Sequence, residues 1–527
     1  MTMADELATL RAAKRLSELV DEALERTARS RLPLAACLGE VLQAACSQLG
    51  ARGAYVHTFD EELALRTFRF PESLAIPREA ETLVRTGAQG GERVTLTEGA
   101  VLVVAAPLDV AGYWFGSAGL VVDAAGADVP LLSELLRTLC EELDNHLQAS
   151  FEARQKQQVL LAVGKALRNA VLIDGFRDAV EELDAALPLE RLLMVHAADA
   201  NPAALPHLQL FEHGKLALDT LNQRDPASAR LREKARAYLR DADPGLLTEL
   251  GFARASEEIL IEGVLNTTVV GKVVAAPSRP VFNTYDRDLL AAFCEFIRQR
   301  VVDYNKEWRT LSRTFGPDVV ARLMQTEDYR RRYLTPREAE VAILYVDIAG
   351  FTRMSEQILK TPSAVAALVE TWGTRAVDLV WAHGGAFDKM VGDCVIALFG
   401  PPFYETNPSS CLAAAVACAR AIREMTNRLP EQPGFEALAA GGVAVTAGVN
   451  LAPLFLGEFE PNEEFTGFSS GMNNTARLQG CGERNEILVM AESIPRLPEG
   501  HPFRFGPERS AKVKNVAEPL RFRPLLD

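Results

Sequence analysis

Six consecutive apolar residues, Val341 to Val346, run directly into an aspartate and a glycine-containing turn: VAILYVDIAGFT. An apolar run of this length predicts a buried strand, with Asp347 where the strand ends. The turn Ile348–Ala349–Gly350–Phe351–Thr352 leads into a helix. Such a turn aims successive backbone N–H groups at one point, which suits a polyphosphate. A carboxylate beside it is placed to hold Mg²⁺ against the phosphates. Taken alone, Asp347 serves equally well as the cap of the next helix.

The following segment removes that ambiguity. Thr361 can cap a helix, Pro362 suits its first turn, and Val365, Leu368, Trp372, Ala376 and Leu379 form one face. Gly384–Gly385 ends it. Then AFDKMVGDCVIALFG predicts two strands joined at Val391–Gly392, with Asp393 opening the second and Val395 to Phe399 buried. Two strand-end aspartates on neighbouring strands can bind two metals, which stabilise an in-line phosphoryl displacement from both sides. Outside this context Lys389 is a solvated strand lysine and Thr466 an ordinary β residue.

A third segment, FTGFSSGMNNTARLQ, carries Asn473 and Arg477 four residues apart, the spacing of one helix face. The order DIAGFT, GGAFDKMVGDCVIALFG and FTGFSSGMNNTARLQ resembles the core of class III nucleotide cyclases. SRTFGPDVVARLM resembles the linker before such domains, and AKVKNVAEPLRF their last strand. The resemblance spans roughly Phe315 to Arg523. It implies that Asp347 and Asp393, helped by the Ile348 carbonyl, hold two Mg²⁺ or Mn²⁺ ions. It further implies that Lys389 and Thr466 read the base, Asn473 orients the ribose, and Arg477 and Lys514 stabilise phosphate charge. The turn residues Gly350, Phe351 and Thr352 complete the substrate-binding set. Lys389 as donor and Thr466 as acceptor match the edge of adenine, whereas guanine reverses both polarities. The expected activity is therefore adenylate cyclase: ATP to 3′,5′-cyclic AMP and pyrophosphate, at sites shared by a head-to-tail homodimer. The alternatives are a guanylate cyclase, or a degenerate cyclase domain that only binds nucleotide or dimerises. A diguanylate cyclase is disfavoured because no GGDEF-like hairpin occurs.

Some positions depart from the family pattern. EFEPNEEF between Gly457 and Thr466 is short and puts Glu463 and Glu464 where a basic residue often lies. Ala452 replaces a frequent glycine, Asn474–Thr475 a more apolar pair, and Asn515 the glycine that usually follows the lysine matched by Lys514. No catalytic group is lost.

The chain has 527 residues, long enough for several domains. The expected fold is α/β (α+β) and multidomain. An N-terminal helix (1–33) precedes a GAF-like domain (34–150) and a second one (151–303). A helical linker (304–334) and a ferredoxin-like, palm-type cyclase domain (335–527), with helices on one face of its sheet, follow. The two middle regions share an order of helix, strands and closing helix, which suggests a duplicated module. They resemble GAF domains in pattern, without the acidic and Asn/Lys signature of cyclic-nucleotide-binding members. The expected partner there is a small-molecule or protein signal.

Elsewhere in this half, a helix is expected over Leu131 to Gln148 and another near Gln158–Leu183. Beyond Asp286, Leu290, Phe293, Ile297, Val301, Tyr304, Trp308 and Leu311 form a heptad-like stripe, read as a parallel two-helix seam between two chains. The alternative is packing within its own chain. A net charge of −15 argues against nucleic acid or anionic lipid as general partners. The most apolar stretch, Val101 to Val122, is broken by Asp109 and three glycines and reads as paired strands rather than a membrane span. Eight scattered cysteines and the absence of a signal-peptide core point to a reducing cytoplasm.

Overall fold

The computed structural model describes residues 3–77, 94–110, 113–187, 189–196, 205–220, 225–252, 257–262, 269–404, 407–460, 464–513 and 518–526. The chain divides into two compact units. One comprises Met1–Lys165, Ala179–Glu190 and Pro277–Phe293; the other comprises Ala166–Asp178, Arg191–Ala276 and Cys294–Asp527.

In the first unit, α1 (Met3–Arg29) and α2 (Leu34–Leu49) precede β1 (Gly53–Phe59) and β2 (Leu65–Phe70). β3 (Val94–Glu98), β4 (Val101–Val110) and β5 (Tyr113–Asp123) follow, and α3 (Val129–Ala166) closes the module. The sheet order is β2-β1-β5-β4-β3. The most apolar stretch is the antiparallel pair β4–β5, running from Val101↔Asp123. Leu16 and Val20 of α1, Leu38 and Val41 of α2, and Leu136 and Leu143 of α3 share its core. α3 continues well beyond the expected Gln148, so a domain boundary at 150 falls inside it. The helix expected near Gln158–Leu183 is the end of α3 and a separate α4 (Leu172–Ala186).

A second sheet combines β6 (Leu189–His196), β7 (His207–Glu212), β8 (Lys215–Asp219), β9 (Glu257–Glu262) and β10 (Val269–Pro277) in the order β8-β7-β6-β10-β9. α5 (Pro226–Asp241) covers it with Ala235 and Tyr238 against Leu193, Val195 and Leu208, and the short α6 (Gly245–Glu249) adds Leu246 to this core. β2-β1-β5-β4 and β7-β6-β10-β9 follow the same strand order. The two sheets differ in which edge carries the extra strand.

α7 (Thr284–Leu311) carries the heptad-like stripe. Leu290, Phe293, Ile297, Val301, Tyr304 and Leu311 are all buried within the single chain, and Trp308 is partly buried. The stripe is therefore consumed by packing in its own chain rather than presented as a seam to a second copy. This corrects the expected linker contact: six of the seven apolar positions have no surface left to offer. α8 (Pro317–Met324) follows, with Gly316 in an extended conformation as its N-cap.

The C-terminal sheet is built on β11 (Arg337–Ile348), in the order β12-β13-β11-β14-β16-β19-β17. Its other strands are β12 (Gly385–Val391), β13 (Cys394–Phe399), β14 (Val445–Phe459), β15 (Glu464–Phe468), β16 (Ile487–Met490), β17 (Arg504–Phe505), β18 (Arg509–Ala511) and β19 (Leu520–Leu526). β15 pairs with β14, and β18 with β19. The pairing is antiparallel except for β14 with β16. α9 (Pro362–Ala382) and α10 (Pro408–Asn427) bury Leu368, Trp372 and Leu412 against Ala342, Leu344 and Val346. Thr361 caps α9, its side chain accepting from the Ala364 N–H.

The opposite face is not bare, as the expectation of helices on one face had it. α11 (Ser470–Gln479) packs there. Gly448 of β14 makes room: a Cβ at that position would meet the Thr475 carbonyl and the Gln479 nitrogen at 2.8 and 2.7 Å. Among the described residues, no helix is long and apolar enough to cross a membrane.

Candidate active site

Strand register assembles the first part of the site. β11 pairs with β13 up to Val346↔Val395, and β12 turns back into β13 through Gly392 and Asp393, with Val391↔Cys394 as the last pair. Gly392 has φ +62, a conformation glycine adopts without strain. The result brings the Asp347 and Asp393 side chains together. Burial pushes the Asp347 carboxyl up to about 6, with Asp393 adding to the rise and a hydrogen bond from Gln479 opposing it. Asp393 is raised as well, chiefly by burial, while hydrogen bonds from its own backbone, from Asp347 and from the Ile348 N–H lower it. Its Oδ2 is buried without a hydrogen-bond partner.

Two adjoining half-buried carboxylates, both raised by burial, with an orphaned oxygen at a strand end, are a donor set suited to a hard divalent cation. Among the described residues no cluster of three or more His, Cys, Asp or Glu side chains that could hold a metal occurs. Backbone, substrate or water oxygens must complete any coordination of this pair. The Gln479 contact was not foreseen. It arises because α11 lies over the sheet, so its last residue reaches both Asp347 and Thr446.

The turn after Asp347 keeps its expected place. Gly350 has φ +75, and the Ala349 N–H is held by the Ala444 carbonyl. The helix expected after it is a single turn, Phe351–Arg353, followed by a wider turn at Met354–Leu359. Phe351 packs on the core and Thr352 is exposed.

The second part lies on the other arm of the hairpin. Lys389 donates to the Thr466 Oγ1 at 3.1 Å across 77 positions of sequence. Thr466 is buried on β15 opposite Gly457, while the Lys389 side chain is 46% exposed. A cavity of about 440 Å³ opens on this pair, lined also by Leu311, Thr314, Asp388, Glu458 and Glu464. The Thr314 carbonyl accepts from the Phe387 N–H (2.8 Å) and from Trp381 Nε1 (3.1 Å), which fixes this wall to β12. Neither Asp347 nor Asp393 lines the cavity.

Asn473 and Arg477 share the outward stripe of α11, whose inner side buries Met472, Thr475 and Leu478. Among the described residues neither forms a hydrogen bond or ion pair with the aspartate pair. Lys514 and Glu463 lie outside the described residues.

Residues 334–521 match the family model described as the adenylate and guanylate cyclase catalytic domain. An uncharacterized protein of Mycobacterium bovis is 27% identical over 210 residues, 39% of this chain and 36% of that protein. The match therefore spans about a third of the length of such curated relatives. Among solved structures, the guanylyl cyclase Cya2 is 20% identical with a TM-score of 0.32, covering 36% of this chain and 93% of that one. The adenylyl cyclase CyaB of P. aeruginosa is 23% identical with a TM-score of 0.32, covering 37% and 97%.

Proposed function

We propose that the adenylate and guanylate cyclase catalytic domain at residues 334–521 converts ATP to 3′,5′-cyclic AMP and pyrophosphate, at sites shared between two copies of the chain. The observation that carries this reading is the Asp347–Asp393 pair, two adjoining carboxylates raised by burial at the ends of adjoining strands beside a glycine turn. Asp347, Asp393 and the backbone at Ile348 would hold Mg²⁺ or Mn²⁺. When bound, such ions lower the pKa of the attacking hydroxyl and neutralise the triphosphate.

The chain's own groups do the rest. The turn at Gly350–Thr352 receives phosphate oxygens. Asn473 orients the ribose so that its 3′-oxygen lines up with the α-phosphorus, and Arg477 stabilises charge as pyrophosphate departs. The new O–P bond closes the ring while the bond to the β-phosphate oxygen breaks. Lys389 donates to N1 of adenine, and the Thr466 oxygen accepts from the 6-amino group.

Neither aspartate lines the adenine pocket, and neither Asn473 nor Arg477 bonds to the aspartate pair, which supports a site completed by a second subunit. The duplicated strand order of the N-terminal half supports reading it as two GAF-like sensory modules that bias this dimer. The direct test is product formation by the full chain with Mn²⁺ and either ATP or GTP. Cyclic AMP should form, with kcat/KM at least about a hundredfold above that for GTP. Formation of neither cyclic nucleotide contradicts the reading.

A further inference from the structure

Lys389 and Thr466 sit on strands that share no ladder among the described residues. β12 pairs with β13, and β15 pairs with β14. The two side chains nevertheless stand 3.1 Å apart. One hydrogen bond from a half-exposed lysine is a weak tether between two strands. The cavity beside the pair has a further wall, the turn that ends α7, which contributes Leu311, Thr314 and Phe315.

That turn holds both strands. The Thr314 carbonyl accepts from the Phe387 N–H of β12 at 2.8 Å, two residues before Lys389. The next residue, Phe315, meets Phe465 of β15 edge to face, with ring centroids 5.2 Å apart, immediately before Thr466. Rings at this separation and tilt attract one another beyond what their buried area contributes. Phe315 is 2% exposed and Phe465 6%, so neither ring can turn away without opening a void. The turn is also pinned from behind. Trp381 Nε1 of α9 donates to the same Thr314 carbonyl at 3.1 Å, and a Cβ at Gly316 would meet the Trp381 Cβ at 2.9 Å. Two adjacent residues of one turn thus grip the strands that carry the donor and the acceptor.

We propose that Phe315 is a positioning residue for the base: by holding Phe465 it sets the place of Thr466 opposite Lys389, and with it the fit of adenine's hydrogen-bonding edge. This rests on the adenine cyclase reading above and extends it to a residue that acts through another. Neither Asp347 nor Asp393 lines this cavity, so the effect falls on nucleotide affinity and base choice rather than on turnover.

The test measures kcat and KM for ATP and GTP, with Mn²⁺, in the full-length wild type, Phe315→Ala, Phe465→Ala and the double variant. Loss of the ring pair should raise KM for ATP about five- to tenfold and shrink the ATP/GTP ratio of kcat/KM by a similar factor, with kcat for ATP within about twofold of wild type. The double variant should lose far less than the product of the two single losses, because each removes the same contact. A Phe315→Ala enzyme with lowered kcat for both nucleotides, unchanged KM and an unchanged ratio has lost only structure, and overturns the proposal. Single losses that multiply in the double variant overturn it too. If Phe315→Ala does not fold, Phe315→Leu decides, since it keeps apolar volume and removes the ring edge. A raised KM with a smaller ratio then supports the proposal, and wild-type values overturn it. Failure of the underlying reading looks different. A wild type that makes no cyclic nucleotide, or prefers GTP, removes the adenine cyclase assignment and this inference with it.

Discussion

The aspartate pair and the Lys389–Thr466 pair each take one member from the β12–β13 hairpin, yet their chemistry is organised in opposite ways. At the tip, Asp347 and Asp393 are like charges pressed together, both raised by burial, with Asp393 raising Asp347 further. On the arm, Lys389 and Thr466 form a donor–acceptor pair on the wall of a cavity. The first arrangement is unfavourable until a cation arrives, and it is indifferent to which base the nucleotide carries. On the proposed reading, the second discriminates between hydrogen-bonding edges and has little leverage on the phosphorus. The proposed reading thus assigns reactivity to one end of this hairpin and selectivity to its arm.

Substitutions should separate the two ends in the same way. Asp393→Ala or Asp347→Ala should lower kcat on the order of a thousandfold or more with either nucleotide, leaving the ATP/GTP ratio unchanged. Circular dichroism should show the fold retained, because loss of either carboxylate relieves the mutual repulsion. Near-normal activity at saturating Mn²⁺ would remove the metal role from this pair.

Lys389→Ala should cost less, about 1–3 kcal/mol in kcat/KM for ATP, or roughly ten- to a hundredfold. It should also shrink the ATP/GTP ratio, which the aspartate variants leave alone. An unchanged ratio would mean that the arm of the hairpin does not read the base.

The smallest effect is thermodynamic. The folded-state pKa of Asp347 is raised above the ordinary carboxylate value of 3.8 to about 6. Its contribution to stability is therefore fully present below the ordinary value and is lost as pH rises through about 6. Bound cation reverses the penalty, because it favours the ionised pair. Mn²⁺ should raise the melting temperature by a few degrees at pH 7.5 and by clearly less at pH 5. Asp347→Asn should flatten that difference, and a metal shift independent of pH would contradict the coupled pair.

How much of this was legible in the sequence follows from how local each feature is. VAILYVDIAGFT and KMVGDCVIALF carry their strands, turns and terminal aspartates in short windows, and the register Val346↔Val395 joined them as the motifs implied. Asn473 and Arg477 were likewise fixed by helix spacing. Phe315 was passed over, because nothing in its own segment shows that its ring meets Phe465 on β15. Gln479 was missed for a related reason: its role depends on which face of the sheet α11 covers. The α7 stripe misled in the other direction. Apolar residues at three- and four-residue steps fit a two-chain seam and an intrachain core equally well, and only their burial in one chain distinguishes these. Ile297→Glu should accordingly destabilise the chain itself, by about 3 kcal/mol or more, rather than selectively weaken a dimer.

The separation of the two ends has one decisive consequence for assembly. If the aspartate pair of one copy works with Arg477 of another, Asp393→Ala alone and Arg477→Ala alone each disable both sites of their own dimers. After subunit exchange between the two inactive proteins, a mixed dimer collects both defects in one site and none in the other. Random pairing makes about half the dimers mixed, each with one intact site of two, so cyclic AMP formation should return to about a quarter of wild type. Confirmed exchange with no recovered activity would place the aspartates and Arg477 in a site contained within one chain.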